Sequence, residues 1–310
     1  MRALIFYFSG TGNTKKVAEL YAAALKAEGA SVSLCELPVE PTAIKSVDVR
    51  DYDLIGIGYP IHSFNAPKIV LSLCKSLPKL DKTERKIKTF IFKTSGEPVR
   101  MSDVSSLKMR ALLRRRGYDA QNEYQYLMPY NIIFRHSAGM AGKMWQTAKA
   151  LVPVDVAEIL TGKKRLPKKL FMGGVLAWIL RVEHWGAHVN GVFYRASKSK
   201  CIGCGLCERT CPVDNITLRK TEDGKTKVAF GGKCIMCVRC AFKCPTAAID
   251  IGLFKSWKVN GEYELNAPEQ NPVLTASGKH VNYCKKAYDK YFADAEKRIR
   301  EFNNTDSKTP

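Results

Sequence analysis

The chain has 310 residues, 45% of them hydrophobic, with 50 Lys and Arg against 29 Asp and Glu and a net charge of +21. That length suits about two domains, and the apolar fraction is that of a globular chain with a sizeable core, which argues against a disordered protein. Eleven cysteines without a recognisable secretory signal argue against a disulfide scaffold and for metal or redox chemistry, as in a cytoplasmic protein.

The run Ala3–Phe8 is apolar throughout. It is shorter than a signal-peptide core and no cleavage site follows it, so it reads as a strand buried on both faces. Asn13 to Lys26 has Val17, Leu20, Tyr21, Ala24 and Leu25 at helical spacing. Further strands are expected at Ser31–Glu36, Asp53–Gly58, Lys88–Lys93 and Tyr118–Met128, with helices over Pro67–Ser76 and Asp103–Arg116. Five strands with intervening helices give an α/β domain over residues 1–130, a parallel sheet covered on both faces.

Residues 131–197 read as a helical interdomain segment. Met140 to Leu160 has helical spacing with a kink expected at Pro153, and Leu170–Trp185 reads as a second, more apolar helix that buries its surface against one or both domains. The longest apolar run, Leu170–Leu180, falls short of the ~18 residues of a membrane span, so no anchor is expected. Residues 131–200 carry a net charge of +9, twelve basic against three acidic, with Lys163-Lys164-Arg165 and Lys168-Lys169 close together. This suits either a solvated face or a docking surface for an acidic partner protein. Contact with a membrane surface is left open but not expected. Nucleic-acid binding is not expected, because no basic module with interleaved stacking aromatics is present.

Residues 198–252 contain two nearly identical strings 33 residues apart: Cys201-x2-Cys204-x2-Cys207-x3-Cys211-Pro212 and Cys234-x2-Cys237-x2-Cys240-x3-Cys244-Pro245. Each is an iron–sulfur run in which three close thiolates wrap one cubane and the fourth reaches the other. Cys201, Cys204, Cys207 and Cys244 would then hold one [4Fe–4S] cluster, and Cys234, Cys237, Cys240 and Cys211 a second. Structural zinc also uses Cys-x2-Cys pairs, but it has no use for three cysteines at i, i+3 and i+6 with a distant fourth. Ile202, Ile216, Ile235, Ala247 and Ile249 are expected to form an apolar sheath. Cys35, Cys74 and Cys284 stand apart and read as small buried hydrophobes. The extension 253–310 ends in an amphipathic helix, Lys279–Phe302, expected to dock on the preceding domain.

The loop Ser9-Gly10-Thr11-Gly12-Asn13-Thr14 joins the first strand to the first helix. There a phosphate meets backbone N–H groups, hydroxyls and the positive helix end. No Lys-Ser or Lys-Thr pair completes a P-loop, and Lys15 stands where a dinucleotide fingerprint needs its third glycine. A monophosphate fits. Ligands of open parallel sheets bind beyond the carboxyl ends of the strands, where two more loops lie. Tyr59-Pro60-Ile61-His62-Ser63-Phe64 offers rings to stack on a flat ring, and Thr94-Ser95-Gly96-Glu97 offers backbone amides to its polar edge. FMN answers this description.

The stretch Tyr7–Thr14, with Ala18, resembles the flavodoxin signature, departing from it at Tyr21, where an aliphatic residue is usual. The order of modules resembles the flavodoxin–ferredoxin fusion proteins of anaerobes. The resemblance implies a doubly wound sheet of order 2-1-3-4-5, a helical linker and a small α+β two-cluster ferredoxin-like domain. It also implies phosphate contacts from Ser9 to Thr14 and flavin-flanking groups at Tyr59 and Phe64. Free flavodoxins are usually acidic, whereas residues 1–130 here carry +7, which argues against a conventional flavodoxin partner. The leading expectation is electron transfer between clusters and flavin in low-potential metabolism, with a ferredoxin or reductase as partner. The alternative is a reductase acting on a quinone, flavin or nitro compound, with His62, His136 and Arg135 as the nearest polar groups. A third reading is a non-enzymatic binding or membrane-surface role resting on the basic segment 131–200.

Overall fold

The computed structural model describes residues 1–38, 48–81, 86–168, 170–220, 226–266 and 285–306. Five parallel strands, β1 (Arg2–Tyr7), β2 (Ser31–Glu36), β3 (Leu54–Pro60), β4 (Lys88–Ser95) and β5 (Asp119–Leu127), form one sheet in the order 2-1-3-4-5. The central strands β1 and β3 are apolar and buried along nearly their whole length, as a sheet covered on both sides requires. Helix α1 (Asn13–Ala27) buries Val17, Ala18, Tyr21 and Leu25 on one face. The opposite face is covered by α2 (Lys68–Ser76) and α3 (Leu107–Arg115), through Val70, Leu73, Met109 and Leu113. The expected helix over Asp103–Arg116 divides, its start being a 3-10 turn over Arg100–Ser106.

Tyr21 occupies the position where the flavodoxin signature has an aliphatic residue, and it organises the α1 side of the core. Its ring lies 4.9 Å from both Phe90 and Phe92, and these two rings lie across β3 where Gly56 and Gly58 respectively leave room. A Cβ at Gly58 would lie 2.1 Å from the Phe92 ring.

Helix α4 (Ala138–Leu160), capped by Ser137, whose side chain accepts from the Met140 N–H at 3.2 Å, completes that layer beside α1. It is continuous through Pro153, which faces solvent. The second expected helix is two: α5 (Gly173–Ile179) and α6 (Val182–Val192). Much of their apolar surface is exposed, so the expectation that this segment buries itself is not met.

The cysteine-rich module is small: β6 (Arg195–Ala196), α7 (Leu206–Arg209), β7 (Ile216–Lys220), β8 (Thr226–Phe230), α8 (Arg239–Phe242) and β9 (Ile249–Asp250). β6 pairs with β9 and β7 with β8, both antiparallel. The last helix, α9 (Lys285–Asp306), packs on α4, and among the described residues no comparable packing joins it to the cysteine-rich module. Residues 279–284 of the expected terminal helix, Cys284 among them, and Lys169 lie outside the described residues. Cys74 is buried and Cys35 half-buried.

Charge explains where α9 goes. Asp155 is buried on α4, and burial pushes its carboxyl up to about 6 despite the Arg298 guanidinium 2.5 Å away. Burial also opposes ionisation of Glu158, but hydrogen bonds from Arg165 and Lys163 and the charge of Arg298 outweigh it and hold the carboxyl at about 2. Arg298 reaches both carboxylates from α9, while Tyr126 donates to Asp155 and stands 2.8 Å from the Tyr21 hydroxyl. Glu158 therefore stabilises the fold at neutral pH, and that contribution is lost as pH falls from about 4.5 towards 2. Asp155 has the opposite sign: its folded form holds a proton more tightly, so its contribution declines as pH rises from 3.8 to about 6. Truncation by Arg298→Ala leaves Asp155 buried and unpaired and is expected to cost about 3–5 kcal/mol in urea unfolding. Adding Asp155→Asn should recover part of that loss, and equal stability of Arg298→Ala and the parent chain would contradict the assignment.

Candidate redox site

The carboxyl ends of β1, β3, β4 and β5 share one edge of the sheet, and their loops are laced together there. Gly12 caps α1 with φ 105°, a left-handed conformation suited to glycine, and its N–H donates to Ser9 Oγ at 3.1 Å. Thr14 Oγ1 stands 2.8 Å from Thr94 Oγ1. Asn13 donates to the Pro129 carbonyl at 2.8 Å, and Asn131 donates to Thr11 Oγ1 at 3.1 Å. These bonds hold open a cavity of about 660 Å³. Of the residues expected to hold the flavin, Ser9, Gly10, Thr11, Asn13, Thr14, Pro60, Ile61, His62, Ser63, Phe64, Thr94, Ser95, Gly96 and Glu97 line it. Gly12 shapes the loop without lining it.

Tyr59 does not line the cavity. It is still within β3, and its fully buried ring points into the α2/α3 core with its hydroxyl 3.0 Å from Ser105 Oγ. It is therefore not placed to flank a ring bound in that cavity. His136 stacks on Tyr130 at 5.3 Å and accepts from the Tyr130 N–H at 3.1 Å, one layer behind the cavity wall. Arg135 donates to the carbonyls of Asn260, Gly261 and Glu262 and serves the chain that follows the cysteine-rich module.

Other wall residues escaped sequence reasoning. Met128 to Ile133 follow β5, the fifth strand to end on the same edge, and the rule that identified the other loops also points to this one. Glu183 and Trp185 on α6, and Met236, Phe254 and Trp257, also line the cavity. No spacing in the chain announces them, because they arrive by tertiary folding.

A side chamber of about 110 Å³ beside His62 is lined by Lys68, Glu183 and His184. Burial lowers the His62 imidazole to about 4, with His184 adding to the effect, and burial likewise lowers His184 to about 4. Burial raises the Glu183 carboxyl to about 7, and its Oε2 is buried with no hydrogen-bond partner.

The eight clustered cysteines ring two hollows. Cys201, Cys204, Cys207 and Cys244 line one, and Cys211, Cys234, Cys237 and Cys240 the other, with Cys240 reaching both. Among the described residues no group of three or more His, Cys, Asp or Glu side chains is arranged to hold a single metal ion. The hollows differ in depth. Cys204 is exposed and Ile202, expected in the sheath, is 67% exposed, while Cys237 is buried. Ile216 and Ile249 are buried as a sheath requires. Burial pushes the Cys237 thiol up to about 12 and Cys240 well above its ordinary value, so thiolates there need a strong positive counter-charge. Backbone N–H groups already point at sulfur, from Asn215 to Cys211 at 3.3 Å, Met236 to Cys234 at 3.4 Å and Ala248 to Cys244 at 3.3 Å. The buried Tyr194 hydroxyl lies on the wall of the deeper hollow, beside the Cys234 thiol.

The deeper hollow abuts the glycine loop. A Cβ at Gly10 would lie 2.5 Å from the Cys237 carbonyl oxygen, so only glycine allows this approach. Arg239 clamps the junction, donating to the carbonyls of Ser9 at 2.6 Å and Gly10 at 3.1 Å and to Glu36 at 3.0 Å.

A family model described as a flavodoxin domain matches residues 4–111, and one described as a 4Fe-4S dicluster domain matches residues 200–248. An uncharacterized ferredoxin of Methanocaldococcus jannaschii is 41% identical over 61 residues, 20% of this chain and 79% of that protein. The methylamine utilization ferredoxin-type protein MauM of Methylorubrum extorquens is 46% identical over 59 residues, 16% of this chain and about a quarter (26%) of the relative. Among solved structures, a flavodoxin from the domain Archaea aligns at 16% identity over 52% of this chain and 99% of its own, with a TM-score of 0.34. These domains imply FMN and two [4Fe–4S] clusters. The residues present fit both: a hydroxyl and amide nest suits a phosphate, and two rings of four thiols, met by backbone N–H groups and a buried hydroxyl, suit sulfide-bearing clusters. The chain belongs to the flavodoxin–ferredoxin fusion family and is an electron-transfer protein using flavin and iron–sulfur groups.

Proposed function

We propose that the chain carries electrons between a soluble redox partner and a flavin through two unequal thiol sites. The ferredoxin-type clusters exchange one electron at a time and FMN one or two, so the pair can mediate between one- and two-electron reactions. The observation that carries the reading is the contact of Gly10 with Cys237, reinforced by Arg239. The exposed Cys204 end faces solvent and partners, and the buried Cys237 end faces the flavin nest.

In this reading Ser9–Thr14 bind the phosphate, Pro60–Phe64 and Thr94–Glu97 flank the ring, and Cys201, Cys204, Cys207 and Cys244 hold the outer cluster. Cys234, Cys237, Cys240 and Cys211 hold the inner one. The work divides over 1–130 for the flavin, 198–252 for the clusters, and 131–197 with 253–310 as the elements that join them. A low-potential anaerobic pathway in the cytoplasm, with a ferredoxin or reductase as partner, fits this arrangement. No helix among the described residues is long and apolar enough to cross a membrane.

A second reading, reduction of a small acceptor such as a quinone or nitro compound at the flavin, is favoured by the side chamber. Glu183, with a free oxygen in a cavity wall, can deliver a proton to an acceptor taking electrons.

Two measurements test these readings. Anaerobically prepared protein is expected to contain one FMN and eight iron atoms, two clusters of four. The paired variant Cys211→Ala/Cys237→Ala should lose no more than about half the iron, as Cys237→Ala alone does, whereas Cys211→Ala/Cys201→Ala should lose nearly all. The reverse pattern would contradict the exchange of fourth ligands between strings. For the second reading, Glu183 is protonated below about pH 7, so turnover of a quinone acceptor should decline above that pH. Glu183→Gln should flatten this limb and lower turnover about 100-fold at pH 6; an unchanged profile would remove Glu183 from the chemistry.

A further inference from the structure

The segment from Phe171 to Trp185 turns its largest apolar side chains outward. Phe171 is 90% exposed, Trp178 69% and Trp185 71%, and Met172, Val175, Ile179 and Val182 are about half exposed or more. Together these side chains expose on the order of several hundred Å² of apolar surface, at or above the ~300–600 Å² of an ordinary monomer's largest patch. The face is also held in place. Gly173 and Ala177 are buried, with Gly173 against Val104 and Leu107, and Asn65 donates to the Leu180 carbonyl at 3.0 Å.

Its rim is basic. Lys108, Arg115 and Arg181 line the shallow groove along α5. Burial lowers the Lys108 ammonium, with Arg181 and Lys75 adding to the effect, so several cations crowd this edge. Lys164 and Lys168 are exposed in the chain leading to α5, while Lys163 is paired with Glu158. Between Glu158 and Glu208 the chain has a single acidic residue, Glu183, and that side chain lines the flavin cavity.

We propose that the Phe171–Trp185 face docks on a membrane surface containing anionic lipid. Tryptophan and phenylalanine beside aliphatic side chains, ringed by lysine and arginine, is the chemistry that settles at the boundary between headgroups and acyl chains. The cations meet the negative surface potential while the apolar side chains enter below it. Neither α5, with seven residues, nor α6, with eleven, is long enough to span, so the attachment is to one leaflet. Because α6 also supplies Glu183 and Trp185 to the cavity wall, docking brings the flavin site to the lipid boundary.

The test is flotation of the full-length, anaerobically prepared protein with phosphatidylcholine vesicles and with vesicles that also contain phosphatidylglycerol. Binding is expected to the anionic vesicles and to weaken in high salt. Phe171→Ser/Trp178→Ser, both far exposed, should lower partitioning at least about tenfold with unchanged FMN and iron content. Lys108→Glu should lower it for the anionic vesicles alone. The proposal is overturned by an absence of flotation with anionic vesicles, or by equal flotation of the double variant. It is equally overturned if sedimentation shows a dimer of the parent chain that the double variant loses, since the face would then be covered by a second copy.

Discussion

A carbonyl oxygen of Cys237 occupies the space any side chain at position 10 would need. Because Gly10 belongs to the loop that caps the first helix, the glycine that lets a backbone approach a phosphate also lets a thiol loop approach the same nest. Arg239 fixes that approach by donating to two carbonyls of the glycine loop, which spends its hydrogen bonds on position rather than on a ligand. The two modules therefore share a wall. Met236, between the two cysteines Cys234 and Cys237, lines the cavity at the strand ends itself. The spacing between the glycine loop and the deeper thiol hollow is set here by backbone contact and leaves little room for sliding.

The remainder of the chain braces that wall. Helix α4 and the terminal helix lock onto the far face of the sheet through Asp155, Glu158 and Arg298. The link is costly to assemble in a buried place and costly to break once assembled. Arg135, two residues after Ile133 of the cavity wall, ties the loop after β5 to Asn260 and Gly261 just beyond the cysteine-rich module. Asn260 in turn donates to carbonyls of Ala241 and Cys244. The extension after the second thiol string thus belongs to the bracing of the redox site.

Much of this was legible in the chain because local chemistry and strand order both have short signatures. Apolar runs without alternation marked the buried strands, and Ser9 to Thr14 marked the nest because glycine and hydroxyl residues at a strand–helix junction have few other uses. The duplicated thiol strings were legible for the same reason. Tyr59 was misplaced because alternation along β3 sends its ring to the core, one residue before the chain leaves the sheet. Glu183, Trp185, Met236 and Trp257 could not be read, since each reaches the cavity from an element whose docking is decided by tertiary packing. The helical segment 170–185 was apolar enough to suggest burial, but burial needs a partner surface. Its inner side, with Gly173 and Ala177, takes up the contact available while the bulky residues remain outside.

The most direct test of the shared wall is an anaerobic crystal structure of the protein with its cofactors bound. The account predicts a flavin ring in the cavity beside Met236, with a [4Fe–4S] cluster held by Cys211, Cys234, Cys237 and Cys240 as its nearer redox neighbour and the other cluster towards solvent at Cys204. A flavin lying outside that cavity, or the cluster at Cys204 standing closer to it, would contradict the account.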